Sequence, residues 1–246
     1  MKLPVDHDAD PEGFLRAALL TERHALPYAP GLGVPGLVAR RLARAGSRLI
    51  LDIGCGDGAL SAAVAEAFEN PPWPARSPDG EPGGLVVGLD GAMALAGLHP
   101  GPVVRGDAMA LPYADGVFDA AVAINTLCHL ADPAAALREA RRVLRPGGLF
   151  AAATVARADS PELADVWRPS PTAFDAEEAV EIVAGVFGEV EVDRWDLPLI
   201  RLPDEDAVRD YLVARGVPHG RAARAARRVD TPVTLTKRGV AVYAIR

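Results

Sequence analysis

Apolar positions along this chain fall into two alternating patterns. The segments Leu49–Ile53, Leu85–Asp90, Val103–Arg105 and Phe118–Ile124, with residues 149–155, are short aliphatic runs, the first three closed by glycine or an acid. Such runs predict strands buried on both faces, as in a parallel sheet. Between them lie segments with helical spacing: 59–68, a very short 92–98, and 133–144, which Arg145-Pro146-Gly147-Gly148 should stop sharply. Two helices are expected before the first strand, over 11–23 (Phe14, Leu15, Ala18 and Leu19 on one face) and 37–45. After the fifth strand the pattern predicts a helix over 176–187 capped by Asp175, a strand over 189–195, helices over 204–215 and 221–229, and a last strand over 239–246. Alternation of this kind predicts a Rossmann-like, doubly wound α/β fold with a mostly parallel seven-stranded sheet.

The expected organisation is one domain over 1–246, divided into three parts. Residues 1–46 form an N-terminal helical lid, 47–155 a ligand-binding core, and 156–246 a C-terminal half with a helical cap insertion at about 198–238. Residues 70–84 are dense in proline and glycine and read as a surface excursion of coil. Half of the 246 residues are apolar, enough for a sizeable core. The formal charge of −7 argues against a general nucleic-acid binder, which would carry a basic footprint. Arg221, Arg224, Arg227 and Arg228 make one basic helix face, which reads first as a solvated surface.

No apolar run is long enough to cross a bilayer, and the first residues lack the apolar stretch of a signal peptide, so a cytoplasmic protein is expected. A monomer or homodimer is the expected assembly. Cys55 and Cys128 are too isolated for a disulfide or zinc framework, and the histidines have no companions at ligand spacing, so no metal is expected.

The chemistry concentrates where the first strand runs into a helix. Asp52-Ile53-Gly54-Cys55-Gly56-Asp57-Gly58 is an acid followed by three alternate glycines. Glycines there should let a ligand approach the backbone, with the helix N-terminus facing it. The spacing G-x-G-x-G departs from the dinucleotide fingerprint G-x-G-x-x-G, and Asp52 would repel a pyrophosphate, which disfavours a nicotinamide oxidoreductase.

Further motifs follow in order: Gly88-Leu89-Asp90-Gly91-Ala92-Met93, then Gly106-Asp107-Ala108 leading to Leu111-Pro112-Tyr113 and Phe118-Asp119, and finally Arg142-Val143-Leu144-Arg145-Pro146-Gly147-Gly148. With the glycine turn, this series over about 100 residues resembles class I S-adenosylmethionine (SAM)-dependent methyltransferases, in particular the ubiquinone/menaquinone-biosynthesis-type (type 11) branch. The resemblance implies SAM as cofactor, leaving as S-adenosylhomocysteine (SAH). It places Asp52, Gly54 and Gly56 at the methionine portion, Asp90 at the ribose and Met93 against the adenine or ribose. Asp107 and Ala108 would read the adenine, and the backbone carbonyl of Asn125 would receive the ammonium group.

His129, four residues past Asn125, is the candidate general base, with Tyr28 and Tyr113 as weaker alternatives. Tyr28, Trp167 and Tyr211 are candidates for a substrate pocket. The expected acceptor is a small molecule methylated on oxygen or nitrogen rather than carbon. An RNA or protein methyltransferase, or a SAM-binding protein without catalysis, remains the alternative. After the fourth strand Asn125-Thr126-Leu127-Cys128 lacks the [DN]-P-P-[YFW] of amino-directed DNA enzymes.

Overall fold

A computed structural model describes residues 23–25, 33–69, 84–92, 94 and 97–246. The predicted helix over 11–22, Tyr28, Met93 and the proline-rich stretch 70–83 lie outside the described residues. The elements run α1 (Val34–Arg44), β1 (Leu49–Ile53), α2 (Ala59–Glu69), β2 (Leu85–Asp90), β3 (Val103–Arg105) and β4 (Phe118–Ile124). They continue with α3 (Pro133–Val143), β5 (Leu144–Val155), α4 (Ala179–Phe187), β6 (Val190–Leu202), α5 (Glu205–Ala214), α6 (His219–Ala226) and β7 (Val233–Ile245).

The sheet has seven strands in the order β3-β2-β1-β4-β5-β7-β6. β1 to β5 are mutually parallel, and β7 runs antiparallel between β5 and β6. The strand order reverses between β1 and β4, so a crevice opens at their carboxyl ends.

Side-chain alternation along the strands builds a core on each face. Ile50, Val86, Ala120 and Val122 meet Val38, Leu42, Leu60 and Val64 of α1 and α2. Leu51, Ile53, Leu89, Ala121 and Ala123 meet Leu137, Val143, Ala179 and Val183 of α3 and α4. A third cluster forms apart from the sheet core, where Ile200, Leu202 and Leu235 pack on Val208, Tyr211, Leu212 and Ala222. Among the described residues no helix is long and apolar enough to cross a membrane.

Local chemistry sets the helix ends. Asp132 caps α3 by accepting from Ala135 N at 3.0 Å with Pro133 at the first helical position, and Asp204 caps α5 through Ala207 N at 2.8 Å. Four expectations change. First, α1, placed in the lid by sequence, packs on the sheet with Val38 and Leu42 buried; its apolar face is needed there. Second, Asp175 does not cap α4 with its side chain: its carboxylate turns instead to Thr172 and Arg157, and the helix starts four residues later. Third, β5 begins at Leu144, because Arg145-Pro146-Gly147-Gly148 forms a bulge within the strand rather than ending the element. Fourth, the expected cap is shorter, since β6 and β7 continue pairing through Leu202 and Val233 and leave only α5 and α6 at the tip of a long hairpin.

Candidate active site

The glycine turn after β1 is closed by the protein's own hydrogen bonds. Gly54 N and Cys55 N donate to Leu89 O at 2.7 and 3.2 Å, Gly56 N to Asp90 Oδ2 at 2.9 Å, and Gly58 N to Cys55 O at 2.9 Å. These donors are therefore committed, and the expectation that open N–H groups face the ligand does not hold at these four positions. A phosphate cradle needs such donors free.

All three glycines have left-handed φ angles of 73°, 52° and 85°. At two of them the missing Cβ makes room for protein rather than ligand. A Cβ on Gly54 would lie 2.3 Å from Thr126 Oγ1, and one on Gly58 2.4 Å from Pro100 Cδ. Thr126 thus locks the β1 turn to the β4 turn. The sequence reading missed it, although its position directly after Asn125 was the available signal.

Three carboxylates converge on this turn. Asp52 is only 3% exposed, and its carboxyl is pushed up to about 7, first by burial and then by the charges of Asp90 and Asp57. Asp90 ends β2, its two oxygens accepting from Gly56 N and from Ala92 N at 2.8 Å. Each oxygen keeps a lone pair for a ligand hydroxyl.

On the far side of β2, Asp107 is exposed and accepts from Met109 N at 2.8 Å, while Ala108 beside it is buried. At the end of β4, Asn125 adopts φ 53°, a conformation uncommon outside glycine. Its N–H donates to Ala153 O at 2.8 Å, and its carbonyl accepts from Cys128 Sγ at 3.3 Å. Burial pushes the Cys128 thiol up to about 11 and that of Cys55 to about 12, so both stay neutral. His129 is exposed at the end of a 3₁₀ turn, Leu127–His129.

The structure brings Asp52, Gly54, Gly56, Asp90 and Asn125 to the β1/β4 crevice. It places two pocket candidates elsewhere. Tyr211 is 1% exposed inside the helical tip, and Trp167 packs edge-on against it at 6.4 Å, so these rings line the third core instead of an open pocket. The Tyr211 hydroxyl meets Ser160 Oγ and Lys237 Nζ, each at 3.1 Å, and Lys237 also pairs with Asp159. Burial would push the pKa of the Tyr211 hydroxyl up, but the cations Arg215 and Lys237 outweigh it and the net shift is downward. Lys237 is one of only two lysines in the chain.

The Leu111-Pro112-Tyr113 and Arg142–Gly148 runs have a mechanical role. Arg142 donates to Tyr113 O at 2.7 Å, Leu111 O at 3.0 Å and Asp115 at 2.8 Å, while Glu139 accepts from Leu111 N at 2.8 Å. Asp119 receives Arg48 N and Leu49 N at 2.8 and 2.9 Å and pairs with Arg145. These bonds fix the β3–β4 loop onto α3 and set where β1 begins.

This arrangement of strands is that of the class I methyltransferase fold. The YcgJ protein from Bacillus subtilis superposes with a TM-score of 0.59 at 17% identity, covering 86% of this chain and 97% of that one. Residues 51–152 match the methyltransferase domain family. Demethylmenaquinone methyltransferase from Corynebacterium kroppenstedtii is 36% identical over 102 residues, 40% of this chain and 38% of its own length. The 27-O-demethylrifamycin SV methyltransferase from Amycolatopsis mediterranei is 32% identical over 170 residues, 63% of this chain and 53% of its own. The chain therefore spans about half, or less, of the length of the curated relatives that it matches.

Proposed function

We propose that the protein is a SAM-dependent methyltransferase that passes the methyl group to an oxygen or nitrogen atom of a small-molecule acceptor. The observation that carries this is the buried Asp52 carboxyl, raised to about 7 among further acids, in a turn whose donors are already used. Such a site repels phosphate and attracts a ligand with cationic and hydroxyl groups. SAM fits it, with an ammonium and a sulfonium for Asp52 and the Asn125 carbonyl, and ribose hydroxyls for Asp90. Asp107 and Ala108 are at hand for the adenine. The two named relatives act on small molecules by their names, which supports that acceptor class.

Bound SAM would supply a methyl group already activated on sulfur. The chain's own part is to orient the donor and exclude water, which can contribute many powers of ten in rate. When the acceptor carries a proton that must leave, His129, exposed at the end of the 3₁₀ turn that follows Asn125, is the residue we assign to take it. His129→Ala should slow methyl transfer to such an acceptor at least tenfold while leaving SAM affinity within twofold; an unchanged rate rules His129 out as the base.

Titration calorimetry with SAM and SAH, and NADH as control, tests the cofactor. The sulfur ligands should bind and NADH should not; the reverse would end the methyltransferase reading. The pH dependence has a definite sign. A cation beside Asp52 favours its ionised form, so binding expels a proton and affinity should fall as pH drops below about 7, by up to about tenfold per unit. The free protein behaves oppositely: the folded state retains a proton that the unfolded chain has released, and stability from this group declines as pH rises from 3.8 to about 7.

A further inference from the structure

The carboxyl end of the sheet continues beyond the crevice as an apolar strip. Asp52 pairs in register with Val122, and Ile124 lies two residues further along β4. Period-two alternation therefore puts Asp52, Val122 and Ile124 on one face, the face that α1 and α2 cover. Ile124 pairs with Ala153, so Val155, two residues on, shares that face at the last position of β5. Val155 in turn pairs with Gly239 of β7, and Gly239 with Trp195 of β6. The strip runs Ile124, Val155, Gly239, Trp195 across four neighbouring strands, and Leu197 extends it along β6.

This strip is open. Val155 is 37% and Leu197 43% exposed, and Ile124 and Trp195 are half-buried. The indole of Trp195 is laid down on β7, since a Cβ on Gly239 would lie 2.1 Å from its Cζ2 and 2.6 Å from its Cε2. Gly239 also marks a gap between two cores. Alternate residues of β7 put Leu235 in the third core and Ala241 and Tyr243 in the core under α1 and α2, with Gly239 between them. The opposite face of β6 and β7 at this level carries Arg194, Asp196 and Arg238, the last two paired at 3.1 Å, and suits no apolar ligand.

We propose that the strip seats the methyl acceptor, and that the acceptor's body is an uncharged, planar aromatic ring system. This rests on the SAM reading above and deepens it by naming the substrate class. Three strand spacings, roughly 14 Å, separate Ile124 from Trp195, enough for two or three fused rings. The Ile124 end adjoins Asn125, whose N–H bonds Ala153 O, so that end is the one beside the donor. Stacking on the indole is worth about two- to twelvefold in affinity beyond the area buried. Asp193, two residues before Trp195 on the same face, disfavours an anionic ring.

The test uses 2-naphthol, a neutral planar phenol, titrated by calorimetry into the SAH-loaded protein. Wild type should bind it, and decahydro-2-naphthol, the same skeleton without the π system, should bind about two- to twelvefold more weakly. Trp195→Ala removes the indole, and Val155→Asp puts a charge on the open strip. Each should weaken 2-naphthol at least tenfold while SAH affinity stays within twofold. Because Val155 is exposed, its variant carries the test even if Trp195→Ala fails to fold. Wild type that binds SAH but not 2-naphthol would overturn the proposal. So would variants that bind 2-naphthol like wild type, which would assign the strip to the chain's own residues 26–32, between Ala25 on β6 and α1. Variants that lose SAH in equal measure would overturn it too, by making the strip part of the donor site. Equal affinity for the two alcohols would overturn the aromatic class. A wild-type protein that binds no SAH instead refutes the SAM reading, and the acceptor role falls with it.

Discussion

Gly54→Ala should destabilise the protein by roughly 3 kcal/mol or more and abolish measurable SAM binding. Two costs combine. The residue holds φ 73°, which an alanine adopts only at about 1 kcal/mol or more, and its Cβ would lie 2.3 Å from Thr126 Oγ1 and 2.4 Å from Thr126 Cγ2. Thr126 has little freedom to retreat, since its hydroxyl bonds Ile124 O at 3.1 Å and the turn it begins runs directly into His129. The β1 and β4 turns would be forced apart, separating Asp52 from the Asn125 carbonyl. Thermal melting and calorimetry of the single variant, of Thr126→Ala and of the pair would settle it. The double variant should recover part of the stability, because the contacts with Thr126 Oγ1 and Cγ2 are gone while the 2.9 Å approach to Cβ of residue 126 and the backbone strain remain. A Gly54→Ala protein that melts and binds like wild type, or a pair that adds without coupling, would show that the two turns are not interlocked.

Asp90→Ala should lower SAM affinity by about a hundred- to ten-thousandfold, since hydrogen bonds to a charged group contribute about 1.5–3 kcal/mol each and two ribose hydroxyls lose theirs. Part of the effect is indirect. Asp90 also receives Gly56 N and Ala92 N, so its loss frees two backbone donors beside the ligand and loosens both turns. The charge matters separately: Asp90 helps raise Asp52, so in the variant the pH below which residual binding weakens should move down from about 7. Asp90→Asn, keeping one acceptor, should fall between. Calorimetry with SAH across pH 5.5–8 would read both effects, and affinity within threefold of wild type would remove Asp90 from the ribose site.

The sheet was largely legible in the sequence. β1 to β4 are short aliphatic runs, three of them closed by glycine or an acid, and all four lie where the pattern placed them. The acids at strand ends were legible because period-two burial makes a charged residue at such a position conspicuous. What the pattern could not carry was contact between distant segments. Nothing local says that the space beside Gly54 is filled by Thr126, or that Arg142 holds the Tyr113 loop. Two strands were read short for a related reason. Residues 196–202 and 233–238 alternate weakly and contain Pro198, so their pairing depends on each other rather than on either sequence alone. Trp167 looked like a pocket residue because a large aromatic in an irregular stretch has that appearance, and Tyr211 because it lay in the expected cap; the small third core that absorbs them becomes visible only when α5, α6 and the hairpin are together.

That third core has a consequence for how the molecule can change. Its buried residues, among them Leu163, Ile200, Leu202, Val208, Tyr211 and Leu235, belong to neither of the two cores against the sheet. Substitutions there repack the hairpin tip against itself, while Asp52, Asp90 and Asn125 keep their places at the strand ends, because distant sites without shared partners add independently. The tip can drift in shape, or be exchanged for another of similar length, without retuning the donor end. The architecture leaves the tip open to change while the sheet stays as it is.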